Sequence, residues 1–130
     1  MSIMKHNEVS QAIIGAAIEV HRSLGPGLLE SAYEECLARE LTLTQIPFER
    51  QKPLAVEYKG LKLDCGYRLD LLVANMVVVE IKAVDALIPL HEAQLLSYLK
   101  LGDWKMGLLI NFHVTLLKNG IKRLVNGLRE

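Results

Sequence analysis

Asp70, Glu80 and Lys82 are the side chains whose types and spacing most directly suggest chemistry. Glu80 and Lys82 close the run Met76-Val77-Val78-Val79-Glu80-Ile81-Lys82, which is apolar and β-branched enough to read as a buried strand. Alternate side chains on a strand share a face, so Glu80 and Lys82 project from the same side of the sheet. A carboxylate and an ammonium there are costly to desolvate unless paired or metal-bound. Asp70 lies in a second strand-like run, Arg68 to Val73, and the short Ala74-Asn75 link lets the two strands pair as a hairpin. Two carboxylates on adjacent strands with a lysine beside them suit a divalent cation and an activated water, the constellation of a nuclease. A plain Glu80–Lys82 ion pair is the competing reading, and at a surface it would be worth little. Val77, Val78, Val79 and Ile81 leave little room for a solvated strand, which favours a site.

The elements that must position these residues fit in one domain. At 130 residues the chain can build one hydrophobic core, so residues 1–130 read as a single unit. Its 51% hydrophobic content suits a sheet covered on both faces, and the scarcity of aromatics predicts an aliphatic core. Zero formal net charge argues against nonspecific attraction to nucleic acid over the whole surface. The C-terminal part is less neutral: Lys100, Lys105, Lys118, Lys122, Arg123 and Arg129 are opposed there only by Asp103 and Glu130. Cys36 and Cys65 lack zinc-ligand spacing and read as free thiols in a reducing compartment. No apolar run approaches a membrane span and the first residues carry no signal-peptide pattern, so a soluble cytoplasmic protein is expected.

Apolar periodicity predicts a helix from about residue 8 to Ser23, with Asn7 as its N-cap, ended at Gly25-Pro26-Gly27. A second helical pattern runs from Leu28 through Leu41. Phe48 to Tyr58 reads as extended, Lys59-Gly60 as a turn, and Leu61 toward Tyr67 as a strand. After the Asp70 and Glu80 strands, Leu90 to Leu101 is helical with Gly102 as a stop. Lys105 to Phe112 and Val114 to Leu117 read as strands, and Asn119-Gly120 as a hairpin turn before Ile121 to Val125. On the third helix Gln94 and Tyr98 are four residues apart and share a face, with His91 at its edge. They read either as groups that orient a phosphate or base, or as ordinary surface polars.

Gly27-Leu28-Leu29-Glu30-Ser31-Ala32-Tyr33 matches the Gly-x-x-Glu-x-x-Tyr signature of the small bacterial "GxxExxY" proteins. The chain resembles that family, which is grouped with the PD-(D/E)xK nuclease superfamily near its RecB-like branch. The similarity runs from about Asn7 to Val125 and includes Arg68-Leu69-Asp70, Val79 to Lys82, His91 to Lys100 and Leu108 to Phe112. The resemblance implies that Asp70 and Glu80 are metal ligands and that Lys82 orients or polarises the attacking water. It implies that Glu30 is an additional acidic ligand, that the Ile81 carbonyl completes the shell, and that Gln94 and Tyr98 form the Gln-x-x-x-Tyr motif of the RecB-like branch. His21 is similar in position to a histidine ligand of some relatives.

The expected fold is therefore α/β, a restriction-endonuclease-like core with a central mixed sheet flanked by helices on both faces. The expected activity is metal-dependent hydrolysis of phosphodiester bonds in nucleic acid, DNA ahead of RNA. All-oxygen ligation suits Mg²⁺, with Mn²⁺ as substitute. Lys118, Lys122 and Arg123 are the candidates to hold the phosphate backbone. A catalytically silent binding module on the same fold is the alternative. Hydrophobic content and a mean hydropathy of +0.22 imply leftover apolar surface, so a homodimer is expected.

Overall fold

The computed structural model describes residues 4–64 and 66–129; Cys65 lies outside them. Helix α1 (His6–Leu24) and helix α2 (Glu30–Leu43) come first, followed by strand β1 (Phe48–Pro53). A separate two-stranded ribbon, β2 (Val56–Tyr58) and β3 (Leu61–Leu63), precedes β4 (Arg68–Val73) and β5 (Val77–Lys82). Helix α3 (Pro89–Gly102), β6 (Met106–Asn111), a short 3-10 turn (Leu117–Gly120) and β7 (Ile121–Val125) complete the chain. The main sheet has the order β1-β4-β5-β6-β7 and is mixed: β5 and β6 are parallel, crossed over by α3, and the other neighbours are antiparallel.

Hydrophobic periodicity explains how the layers stack. Val9, Ile13, Ala17 and Val20 line one face of α1 and pack, with Tyr33, Leu37 and Leu41 of α2, on Val77, Val79 and Ile81 of β5 and on Leu108 and Ile110 of β6. The intervening Val78 and Leu109 face the other way, against Leu95, Tyr98 and Leu99 of α3. Helices thus cover both faces, as the apolar β5 run requires. A Cβ at Gly107 would stand only 3.0 Å from the Leu95 side chain, so the glycine lets α3 approach β6 closely. Ala74, Asn75 and Met76 connect β4 to β5; Ala74 and Asn75 both take positive φ (54° and 55°), and the Met76 N–H closes the turn on the Val73 carbonyl at 3.0 Å. Among the described residues no helix is long and apolar enough to cross a membrane.

Three local expectations are corrected. Helix α1 starts at His6, where the Lys5 N–H donates to Glu8 Oε1 at 3.2 Å; Asn7 lies inside the helix and accepts from Arg123 Nη1 at 2.6 Å. Val114 to Leu117 is not a strand, because the Val114 carbonyl bonds to His21 Nε2 at 2.8 Å rather than entering a ladder. Asn119-Gly120 closes the 3-10 turn instead of a two-residue hairpin. Gly120 is required there, since a Cβ would come within 2.2 Å of the Asn111 carbonyl oxygen.

Candidate active site

The β4–β5 ladder pairs Val73 with Val77, Leu72 with Val78 and Leu71 with Val79, and stops. At the next position the side chains of Asp70 and Glu80 replace the ladder. The Asp70 N–H donates to Glu80 Oε2 and the Ile81 N–H donates to Asp70 Oδ2, each at 2.8 Å. Each carboxylate thereby satisfies an amide that the parting strands would leave unpaired. The N–H and C=O of a strand residue face the same edge, so the Ile81 carbonyl opens onto the same gap.

The cause lies in β4. Leu71 and Val73 pack beneath α1 and α2, and Leu72 packs on the α3 side; Leu69, which strict alternation would group with Leu71, also packs on the α3 side. The strand turns over around Asp70 and presents its carboxylate to a cleft of about 450 Å³, lined also by Glu30, Ser31, Glu34, Gln51 and Ile81.

Burial and neighbouring negative charge shift both carboxyls. Burial, then the neighbouring Asp70 charge, pushes the Glu80 carboxyl up to about 8. Asp70 is also raised, chiefly by burial, while the Ile81 amide pulls it back and Glu34 pushes it further. The Tyr98 hydroxyl is raised by burial and next by Glu80, which places it within the field of the pair. Lys82 is half-buried, and its positive charge lowers both carboxyls. Among the described residues no ion pair joins Glu80 to Lys82, although the Lys82 charge acts on the Glu80 carboxyl. Among the described residues no three His, Cys, Asp or Glu side chains are gathered tightly enough to hold a metal ion as they stand. The donor chemistry nevertheless fits one: the buried Glu80 and half-buried Asp70 carboxylates both have raised pKa values, and their all-oxygen set suits a hard divalent cation.

Glu30 opens α2, lines the Asp70 cleft, and accepts the Ala83 N–H at 3.3 Å. Its placement follows from Tyr33, which is fully buried and stacked on Phe112 with centroids 4.4 Å apart. Tyr33 Oη donates to the Gly25 carbonyl at 2.6 Å and accepts the Leu28 N–H at 3.1 Å, clamping the turn that leads into α2. Tyr98 is buried on α3 and Gln94 exposed one turn before it. His91 Nδ1 accepts the Ile88 N–H at 3.1 Å at the start of that helix.

The structure does not gather every expected residue. His21 is held by the Val114 carbonyl and lines a different groove, together with Lys118. Lys122 and Arg123 are adjacent on β7 and face opposite sides. Lys122 stands in the same row as Leu109 and Glu80, on the α3 face, whereas Arg123 reaches Asn7 of α1.

Glu34, Gln51 and Asn111 belong to the region and escaped the sequence reading. Glu34 follows Glu30 by one helical turn, a spacing that could have been noticed. Asn111 stands beside Lys82 in the sheet; its Oδ1 accepts from Val84 N–H (3.1 Å) and His113 N–H (3.2 Å), and its Nδ2 donates to the Val84 carbonyl (2.9 Å). It thus ties together the loops that leave β5 and β6.

A family model described as the PD-(D/E)XK nuclease superfamily matches residues 7–124, and the chain belongs to that superfamily. Its mixed sheet with helices on both faces is consistent with the restriction-endonuclease-like fold. No curated protein and no solved structure matches the chain.

Proposed function

We propose that the protein is a divalent-metal-dependent nuclease that hydrolyses phosphodiester bonds of nucleic acid, DNA ahead of RNA, in the cytoplasm. The observation that carries this reading is the parting of β4 and β5 at Asp70 and Glu80, where the half-buried Asp70 and buried Glu80 carboxylates meet at an opened ladder. Asp70, Glu80, the Ile81 carbonyl and Glu30 would hold Mg²⁺, with Mn²⁺ as substitute. When bound, the ion would lower the pKa of its water and offset charge on the scissile phosphate and leaving oxygen. Lys82, on the same strand face as Glu80, orients the attacking water. Tyr98, with Gln94 one turn earlier, holds the phosphate beside the pair by hydrogen bonding.

The second reading, a silent module on the nuclease fold, draws on one observation: no set of three His, Cys, Asp or Glu ligands stands assembled among the described residues. Incubation with single-stranded, double-stranded and branched DNA and RNA, with and without Mn²⁺, tests both. Metal-dependent cleavage abolished by Asp70→Asn is the expected result. Cation-independent binding without cleavage would establish the second reading.

A further inference from the structure

We infer that Gln51 is a positioning residue for Asp70, holding that carboxylate through its side-chain amide; the inference rests on the metal-dependent reading above. Gln51 lies in β1 with φ at 50°, the left-handed region that a non-glycine residue enters only when its surroundings impose it. Arg50 pairs with Leu71 and Lys52 with Leu69, while the intervening Gln51 and Asp70 do not join the ladder. An extended strand would send Arg50 and Gln51 to opposite faces. Here both reach α2 and end on the buried Glu34.

Arg50 Nε and Nη2 donate to Glu34 Oε2 at 3.2 and 3.0 Å, and Gln51 Nε2 donates to Glu34 Oε1 at 2.7 Å. An amide nitrogen carries two N–H groups. The same Nε2 stands 3.4 Å from Asp70 Oδ1, donating across the mouth of the cleft. Asp70 Oδ2 is already held by the Ile81 amide, so donors on both oxygens fix the plane of the carboxylate. The Glu34–Arg50 pair anchors the amide, and the strained backbone delivers it.

Gln51→Asn tolerates the left-handed backbone but is one methylene too short to span Glu34 and Asp70. Gln51→Gly removes the side chain with no steric cost at a positive φ. Mn²⁺ would be titrated calorimetrically into wild type and both variants, at a temperature where melting curves show each to be folded. The expected result is a Kd for Mn²⁺ raised roughly 10- to 100-fold in both variants, the range for loss of a group that orients a metal ligand. Wild-type affinity in either folded variant would overturn the inference and leave the metal-dependent reading standing. A wild type that binds no Mn²⁺ would overturn that reading, and the inference with it.

Discussion

Glu80 accepts the Asp70 amide and Asp70 accepts the Ile81 amide, but the two carboxylates differ in their surroundings. Glu80 is more deeply buried, and its carboxyl is held near 8 by burial and by Asp70. Because the folded-state pKa lies above the ordinary 4.5, the protonated form is favoured by folding. That contribution is complete below pH 4.5 and is lost as pH rises through about 8, so the cation-free protein should lose stability across that window. Glu80→Gln should flatten the loss, and chemical denaturation at several pH values checks it; an unchanged pH profile would show that Glu80 is not the group responsible. The same residues divide the work of the proposed site. Asp70→Asn should weaken cation binding and cleavage together, because a ligand charge disappears. Lys82→Ala should leave cation affinity largely intact and lower turnover by roughly 10²-fold, the scale of a group that serves proton transfer. Calorimetry with Mg²⁺ and Mn²⁺ beside single-turnover cleavage separates the two effects.

The elements show why one glutamate on α2 can reach a pair of strands so distant in sequence. Tyr33 ties Gly25 and Leu28 together and stacks on Phe112, so the start of α2 is fixed against the end of β6. Tyr33→Phe keeps the ring but leaves the Gly25 carbonyl and Leu28 N–H without their partner. It should cost roughly 1–3 kcal/mol in a denaturant titration. It should also weaken Mn²⁺ binding if Glu30 is a ligand; unchanged affinity would remove Glu30 from the set. Much of this scale was legible in the sequence. The apolar runs of β5 and β6 and the periodicity of α1 and α3 gave their elements to within a few residues, and the charges at the end of β5 pointed to the place where β4 and β5 part. What was hidden depends on tertiary contact. Nothing in Phe48-Glu49-Arg50-Gln51 announces a left-handed glutamine, because Glu34 and Asp70 impose it. Val114 to Leu117 has strand composition, and it is the His21 ring that takes its backbone out of a ladder. His21 itself carries the right residue type for a ligand, but packing directs it to Val114.

For the molecule as a whole, zero net charge means that nucleic acid must be held by local cations. The sheet register singles out Lys122, two strands from Glu80 in the same row and therefore about 10 Å away on the α3 face. Lys122→Gln should weaken DNA binding and reduce its salt dependence by about one counterion. Arg123→Gln should not, since Arg123 faces α1 and Asn7. Equal losses in filter binding at several salt concentrations would show that both faces contact the ligand. Apolar exposure makes the remaining whole-molecule prediction. Tyr58 and Leu61 stand opposite each other on the β2–β3 ribbon, 61% and 59% exposed, so they form an apolar pair outside either core. Self-association through a two-fold axis would bring two copies of such a pair together and remove both from water. A homodimer is therefore expected by light scattering at micromolar concentration, and Tyr58→Ser with Leu61→Ser should shift it toward monomer. Monomer mass for the wild type would rule out the dimer, and a dimer unaffected by the double substitution would move the interface elsewhere on the molecule.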